Sequence, residues 1–360
     1  MKNILFVIPT LSGGGAERVI SVLSDELCKQ GYNVGLLLSM RKEDEYYLNP
    51  NVRLYVDGTN GSENPIIRSC KRIKKYRNFA RDFKPDVVIP FLPSIMRDAY
   101  IAKMGIKTCF VGTMRAAPIG LSKLAIKVQD YVFNHSDIIY LQTSEQKKYL
   151  SQKAVSKAFV LPNPINAQLL PVQWQNHYGD SIQLITLGRL TKQKNYSLLI
   201  DSVAMVHKRF PNVKLNIFGQ GPLQEELQKL IDEKNVNNYI KLCGRTNTPV
   251  DELLKSDMFV FSSNYEGMPN ALMEAMAVGL PCISTDCPTG PKELIGDNER
   301  GLLVPVEDAS AMAKAIINMI ENPIEAVEMG KKAKTYIVNN FSPEIITKKL
   351  IENLRKTNKA

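Results

Sequence analysis

Thr10-Leu11-Ser12-Gly13-Gly14-Gly15-Ala16-Glu17-Arg18 follows directly on the β-branched run Asn3–Ile8 and leads directly into a helical pattern over Ala16–Gln30. A strand that turns through glycines into a helix is the opening unit of a parallel α/β sheet. Glycine lets the backbone approach a ligand closely, and the N–H groups at the start of the helix favour an anion, so Gly14 and Gly15 are candidate binding positions. Dinucleotide binding asks for G-x-G-x-x-G. The third glycine position is Arg18 here, which ranks that reading low.

The same alternation continues outward from this turn. Short strands are expected near Asn33–Leu38, Val52–Tyr55, Asp86–Pro90, Thr108–Val111, Asp137–Leu141 and Ala158–Leu161, with helical patterns such as Leu121–Asn134 between them. The pattern then restarts at Gln183–Leu187 and runs through Val213–Phe218, Tyr239–Cys243, Met258–Ser262, Cys282–Thr285 and Gly301–Val304. Between the two series, Leu161–Asn166 is turn-rich and residues 170–178 show no period, which marks a linker. The expected fold class is α/β, with two Rossmann-like domains of parallel sheet facing across a cleft. Residues 1–170 form the first domain, 171–342 the second, and 343–360 a C-terminal helix that is a candidate to cross back to the first domain.

Composition narrows the class further. The chain of 360 residues is 44% hydrophobic and 23% charged, a soluble globular balance with room for two cores. Its apolar runs fall far short of the roughly 20 residues of a membrane span, and Met1-Lys2-Asn3 enters a strand at once, so neither a transmembrane helix nor a signal peptide is expected. The six cysteines are scattered and His135, His177 and His207 form no ligand motif, which points to a reduced cytoplasmic protein without bound zinc. The net charge of +10 is uneven: 24 Lys and Arg stand against 14 Asp and Glu up to Gln175, and 22 against 22 beyond. Much of the excess crowds Ile66–Lys84, where Arg68, Lys71, Arg72, Lys74, Lys75, Arg77 and Arg81 share a helix with Ile66, Ile67, Ile73, Tyr76 and Phe79. That segment is either a solvated basic helix or a dock for an anionic membrane surface. No nucleic-acid reading motif accompanies the charge, so nucleic acid is not an expected partner.

Four further segments carry candidate chemistry. In Thr186–Asn195, between a strand and a helix, Arg189 and Lys194 can reach one anion, a planar fork beside a point charge, and a diphosphate fits that pair. In Ile217–Leu223, Gly219 and Gly221 precede Pro222, a weak signal of backbone closeness to a ligand. In Ser262–Ala277 a strand runs into a loop, Asn270 is placed to cap a helix, and Glu266 and Glu274 fall eight positions apart with the amides from Gly267 through Met268, Pro269, Asn270 and Ala271 to Leu272 between them. Paired carboxylates beside an anion site suit sugar hydroxyls, each of which they accept. Asp286–Leu294 adds a further ordered turn at the same sheet edge.

On these residues the chain resembles family 4 of the retaining glycosyltransferases, whose fold is GT-B. The family's E-x7-E element is present as Glu266 to Glu274, with Gly14–Glu17, Gly188–Lys194 and Gly219–Pro222 in the family's order. The resemblance implies that Arg189 and Lys194 grip the donor diphosphate, Glu274 holds the ribose and Glu266 holds the transferred sugar, with Gly15 and the amides after Gly267 completing the cradle. The spelling around Glu266 and Cys287–Pro291 is similar to members that build O-antigen, capsule and other lipid-linked glycans, which commonly use UDP-sugars. Arg245 is placed where a base would stack. Many members carry a histidine at the end of the first domain's fifth strand, whereas this chain reads Gly112-Thr113-Met114-Arg115-Ala116, leaving Arg115 to contact sugar, acceptor phosphate or neither.

Breaking the bond from sugar to diphosphate develops negative charge on the leaving phosphate, and fixed cations aimed there stabilise the transition state more than the ground state. The chain has no D-x-D, so no metal or other cofactor is expected beyond the nucleotide-sugar substrate. The expectation is therefore a hexosyl or N-acetylhexosaminyl transferase acting on a polyprenyl- or other lipid-linked acceptor, cytoplasmic and peripheral at the inner face of the cytoplasmic membrane. The alternatives are a sugar-nucleotide epimerase of the same fold and a non-catalytic nucleotide-binding membrane scaffold.

Overall fold

The computed structural model describes residues 1–59, 64–175 and 179–356. The chain divides into two compact units, Met1–Pro164 with Pro343–Ala360, and Ile165–Ser342. The division falls six residues before the expected 170, because residues after Pro164 already bond within the second unit. The Ile165 amide donates to the Phe341 carbonyl at 2.9 Å, and Trp174 donates from its amide to Val278 and from its indole to Ser256. Residues 176–178 of the expected linker, His177 among them, lie outside the described residues.

The first unit holds seven parallel strands: β1 (Asn3–Ile8), β2 (Asn33–Leu38), β3 (Arg53–Val56), β4 (Val87–Pro90), β5 (Cys109–Met114), β6 (Ile138–Leu141) and β7 (Ala158–Val160). Their order is β3-β2-β1-β4-β5-β6-β7, with Asn3 opposite Asn33 and Ile8 opposite Leu38 at the centre. Strands covered by helices on both faces read as unbroken apolar runs, and β1, β4 and β5 do so. Chain order reverses between β1 and β4, the switch point at which open α/β sheets bind ligands. Helix Pro343–Arg355 packs on helix Gly15–Lys29, burying Ile346, Leu350, Ile351 and Leu354, and Tyr140 Oη donates to the Leu350 carbonyl at 3.1 Å.

The second unit repeats the plan with β8 (Ile182–Leu187), β9 (Val213–Phe218), β10 (Ile240–Gly244), β11 (Met258–Phe261), β12 (Cys282–Thr285) and β13 (Leu302–Val304), ordered β10-β9-β8-β11-β12-β13. Here the switch point lies between β8 and β11. The turns that follow these two strands are Gly188–Asn195 and Ser262–Pro269, so topology alone brings Lys194 and Glu266 to one place.

The basic helix runs Pro65–Phe83, and its charge is not all turned to solvent. Arg72 is buried: its Nη1 lies 2.9 Å from Asp98 Oδ2 and its Nε 4.0 Å from Asp57 Oδ2. Lys75 donates to the Asp57 carbonyl. Both point inward because the helix packs the Tyr76 and Phe79 side of its surface onto the sheet, and these two positions flank that stripe. Among the described residues, no helix is long and apolar enough to cross a membrane.

Candidate functional site

In the second unit, three turns are bonded into one block. Gln193 donates from its side chain to the Tyr265 carbonyl at 2.8 Å and accepts from the Asn264 amide at 2.8 Å. Asn195, in a left-handed conformation at φ 46°, donates to Asn264 Oδ1 at 3.0 Å, and Ser262 Oγ donates to the Lys194 carbonyl at 2.7 Å. The third turn joins through Glu266, whose amide donates to the Pro288 carbonyl at 3.1 Å and whose carbonyl accepts from Thr289 Oγ1. At Gly290 (φ 99°) a Cβ would stand 2.7 Å from the Gly267 carbonyl oxygen, so only glycine lets this turn close on the other.

The block fixes one ion pair. Lys194 Nζ lies 2.6 Å from Glu266 Oε1, with 17% and 9% of the two side chains exposed, and sits 4.7 Å over the Phe261 ring. A largely desolvated pair, set on turns hydrogen-bonded to one another, is positioned before any ligand arrives. The field of Glu266 is felt nearby. Burial first, and Glu266 second, push the Tyr196 hydroxyl well above its ordinary range and the Cys287 thiol up to about 12. Arg189 stands exposed on the same turn. Glu274 is buried on helix Asn270–Val278.

Several expected roles change. Asn270 is the first residue of its helix rather than the cap; Pro269 holds the cap position in extended backbone, and no side chain caps the turn. Gly267, Met268 and Pro269 are buried, Asn270 and Ala271 partly exposed, and Leu272 belongs to the core. Gly219 and Gly221 approach backbone of the neighbouring turn: added Cβ atoms would lie 1.8 Å from the Gly188 oxygen and 2.3 Å from the Leu190 oxygen. Their closeness carries the Arg189 turn from below. Arg245 is exposed just past the edge strand β10, two strands from β8.

In the first unit, Gly14 caps helix Gly15–Lys29, and the expected open anion seat is already covered. The Glu17 carboxylate folds back so far that a Cβ on Gly14 would lie 2.1 Å from its Oε2. An acidic group in the first turn answers the helix's positive end, so any external anion competes with it. Arg115, just past β5, donates from Nη2 to Asn163 Oδ1 at 2.5 Å and stacks 4.5 Å over Phe91. Sequence reading missed Asn163, Gln142, Ser262 and Thr289. Each is polar near a strand's carboxyl end, but its side-chain partner lies 21 or more residues away.

Among the described residues, no group of three His, Cys, Asp or Glu side chains gathers as a metal site. The family model for Glycosyltransferase Family 4 matches residues 13–169, and that for Glycosyl transferases group 1 matches residues 173–336. The chain belongs to the family 4 glycosyltransferases. It is 37% identical over 262 residues to an uncharacterized glycosyltransferase of Methanocaldococcus jannaschii, a match spanning 65% of this chain and 64% of the relative. It is 29% identical over 351 residues, 93% and 94% of the two chains, to the N-acetylgalactosamine-N,N'-diacetylbacillosaminyl-diphospho-undecaprenol 4-alpha-N-acetylgalactosaminyltransferase of Campylobacter jejuni. Among solved structures, Anabaena HepE in complex with UDP and glucose matches with a TM-score of 0.83 at 16% identity, covering 99% of this chain and 100% of that one. The glycosyltransferase thus has two parallel-sheet units of the GT-B fold, and it is an enzyme of sugar transfer.

Proposed function

We propose that this glycosyltransferase moves a hexose or N-acetylhexosamine from a UDP-sugar to a lipid-linked glycan in surface polysaccharide synthesis, with retention and without a metal. The observation that carries the reading is the prepositioned Lys194–Glu266 pair at the second unit's switch point, on the same loop-and-helix segment as Glu274. In this reading Lys194 and Arg189 take the donor diphosphate, Glu274 the ribose and Glu266 the transferred sugar. Gly15 and the amides from Gly267 to Leu272 complete the cradle, with Gly14, Gly219 and Gly221 shaping it and Arg245 near the base. Charge leaving with the phosphate meets the ammonium, so no divalent ion is needed. The UDP bound by the Anabaena neighbour supports the donor, and the diphospho-undecaprenol acceptor in the Campylobacter relative's name supports the acceptor.

The acceptor places the enzyme peripherally at the inner face of the cytoplasmic membrane. Two exposed apolar tips support that placement: Ile66 and Ile67 at the start of helix Pro65–Phe83, and Ile119, Leu121 and Leu124 at the start of helix Lys123–His135. Exposed Lys71, Lys74, Lys123 and Lys127 accompany them. Both helices follow strand carboxyl ends and pack against helix Pro93–Ala102 in one layer, so the tips share an edge. Apolar side chains among lysines suit a bilayer containing anionic lipid. The test is transfer from labelled UDP-, GDP- and ADP-sugars to polyprenyl-diphosphate-linked acceptors in EDTA, with NMR of the new linkage. Metal-free transfer from a UDP-sugar with retained configuration is expected. Chelator inhibition, an inverted product or donor conversion without acceptor would overturn the respective parts.

A further inference from the structure

The first unit contains a cation whose hydrogen-bonding partners are neutral side chains. Arg115 is half-buried at the end of β5, and among the described residues no carboxylate comes within ion-pair distance of it. Nη2 donates to a neutral partner, Asn163 Oδ1, at 2.5 Å. The Gln142 amide satisfies its neighbours when turned so that its oxygen accepts from Asn163 and from Arg115 Nη2, at 3.2 Å, and its nitrogen donates to the Arg115 carbonyl at 2.5 Å. The guanidinium plane rests on the Phe91 ring. Burial makes the guanidinium hold its proton less tightly than usual, and only the more distant Glu17 opposes this.

Two more groups add donors without acceptors. Thr143 Oγ1 and Gln146 Nε2, at the adjoining end of β6, are buried with no hydrogen-bond partner, as is Arg115 Nε. A desolvated charge costs several kcal/mol unless something compensates it. Elsewhere in this unit the fold does compensate: the buried Arg72 has Asp98 at 2.9 Å and Asp57 at 4.0 Å. Arg115 is immobilised with equal care by an amide, an asparagine and a ring, none of which neutralises it.

We propose that Arg115 is an anion-binding group of the first unit, preorganised by Asn163, Gln142 and Phe91 to receive a phosphoryl group of a substrate through the outer edge of its guanidinium. The assignment rests on the transfer reading above for its ligand. The two sources of a phosphoryl group are the diphosphate joining an acceptor glycan to its lipid and the diphosphate of the donor. A fork-shaped guanidinium takes two oxygens where an ammonium takes one, so lysine should replace it only in part.

The experiment compares wild type, Arg115→Gln and Arg115→Lys, with thermal melting as the control for folding. Binding of inorganic pyrophosphate is titrated with UDP saturating the donor site, and UDP binding is measured separately. Because no transfer is needed, these titrations stand even if the enzyme uses no lipid-linked acceptor. If the acceptor supplies the anion, Arg115→Gln weakens pyrophosphate at least tenfold with UDP affinity held within threefold, and Arg115→Lys recovers part of the loss. If the donor supplies it, UDP affinity falls tenfold instead. In turnover, Arg115→Gln should raise KM for a diphosphate-linked acceptor tenfold and leave KM for an uncharged alkyl-linked acceptor unchanged in the first case. A folded Arg115→Gln variant in which neither pyrophosphate nor UDP affinity moves, or one equally impaired with the uncharged and charged acceptors while both affinities hold, overturns the proposal.

Discussion

Replacing Lys194 by alanine should do two separable things. Glu266 lies beside it with 9% of its side chain exposed, so the deletion strands a carboxylate in a largely dry turn. Breaking a fully buried pair this way costs about 3–5 kcal/mol. The partial exposure of both partners and the freedom of the loop to admit water reduce that to about 2 kcal/mol. For a unit of this size, such a loss lowers the melting temperature of the second unit by roughly 4–8 °C. Turnover should fall on the order of 10²-fold, the scale of a lost transition-state donor. The double variant Lys194→Ala with Glu266→Gln removes the stranded charge, so it should regain most of the stability and none of the activity. Calorimetry and initial-rate assays on all four forms give the complete cycle. Turnover of Lys194→Ala within threefold of wild type would remove the catalytic assignment. A double variant no more stable than the single one would show that the pair's electrostatics do not hold the turns.

Three other outcomes follow from packing. Gly219→Ala should cost at least about 3 kcal/mol and impair donor binding, measured by denaturation and UDP titration, because its Cβ would enter the Gly188 carbonyl. In alkylation at pH 8 followed by mass spectrometry, exposed Cys70 and Cys243 should label while Cys287, buried and with its thiol pushed up to about 12, stays unmodified in the folded protein. The thiolate of Cys287 becomes appreciable only as pH approaches that value, so raising the pH from 7 to 9 should not expose it to reagent. Leu124→Glu with Ile66→Glu should reduce sedimentation with vesicles containing anionic phospholipid at least fivefold, whereas transfer to a detergent-dispersed acceptor should persist.

The strands were legible because each is a short apolar run between turn residues, and their ends in the structure differ from the expected ones by only a few residues at most. The site turns were legible because glycine, proline and paired glutamates stand at strand ends. What could not be read was which polar group meets which. Arg72 looked like one more surface cation until the sheet brought Asp57 and Asp98 beneath it. Gly219 signalled closeness without saying that its neighbour was Gly188. Glu17 marked the glycine turn, yet only the helix geometry turns its carboxylate back over Gly14. These facts depend on contacts between segments distant in sequence or on side-chain rotamers, neither of which periodicity records.

The return of residues 343–356 to the first unit fixes an order of events during synthesis. Residues 165–342 contain everything their own sheet needs and can complete their core as they leave the ribosome. The first 164 residues cannot, since the seat for Ile346, Leu350, Ile351 and Leu354 against helix Gly15–Lys29 stays open until a segment made after the entire second unit arrives. The half of the enzyme translated first is therefore finished last. A nascent chain halted before residue 343 would present a stripe of apolar surface to chaperones and proteases, although every candidate donor-binding residue of the second unit had already been made.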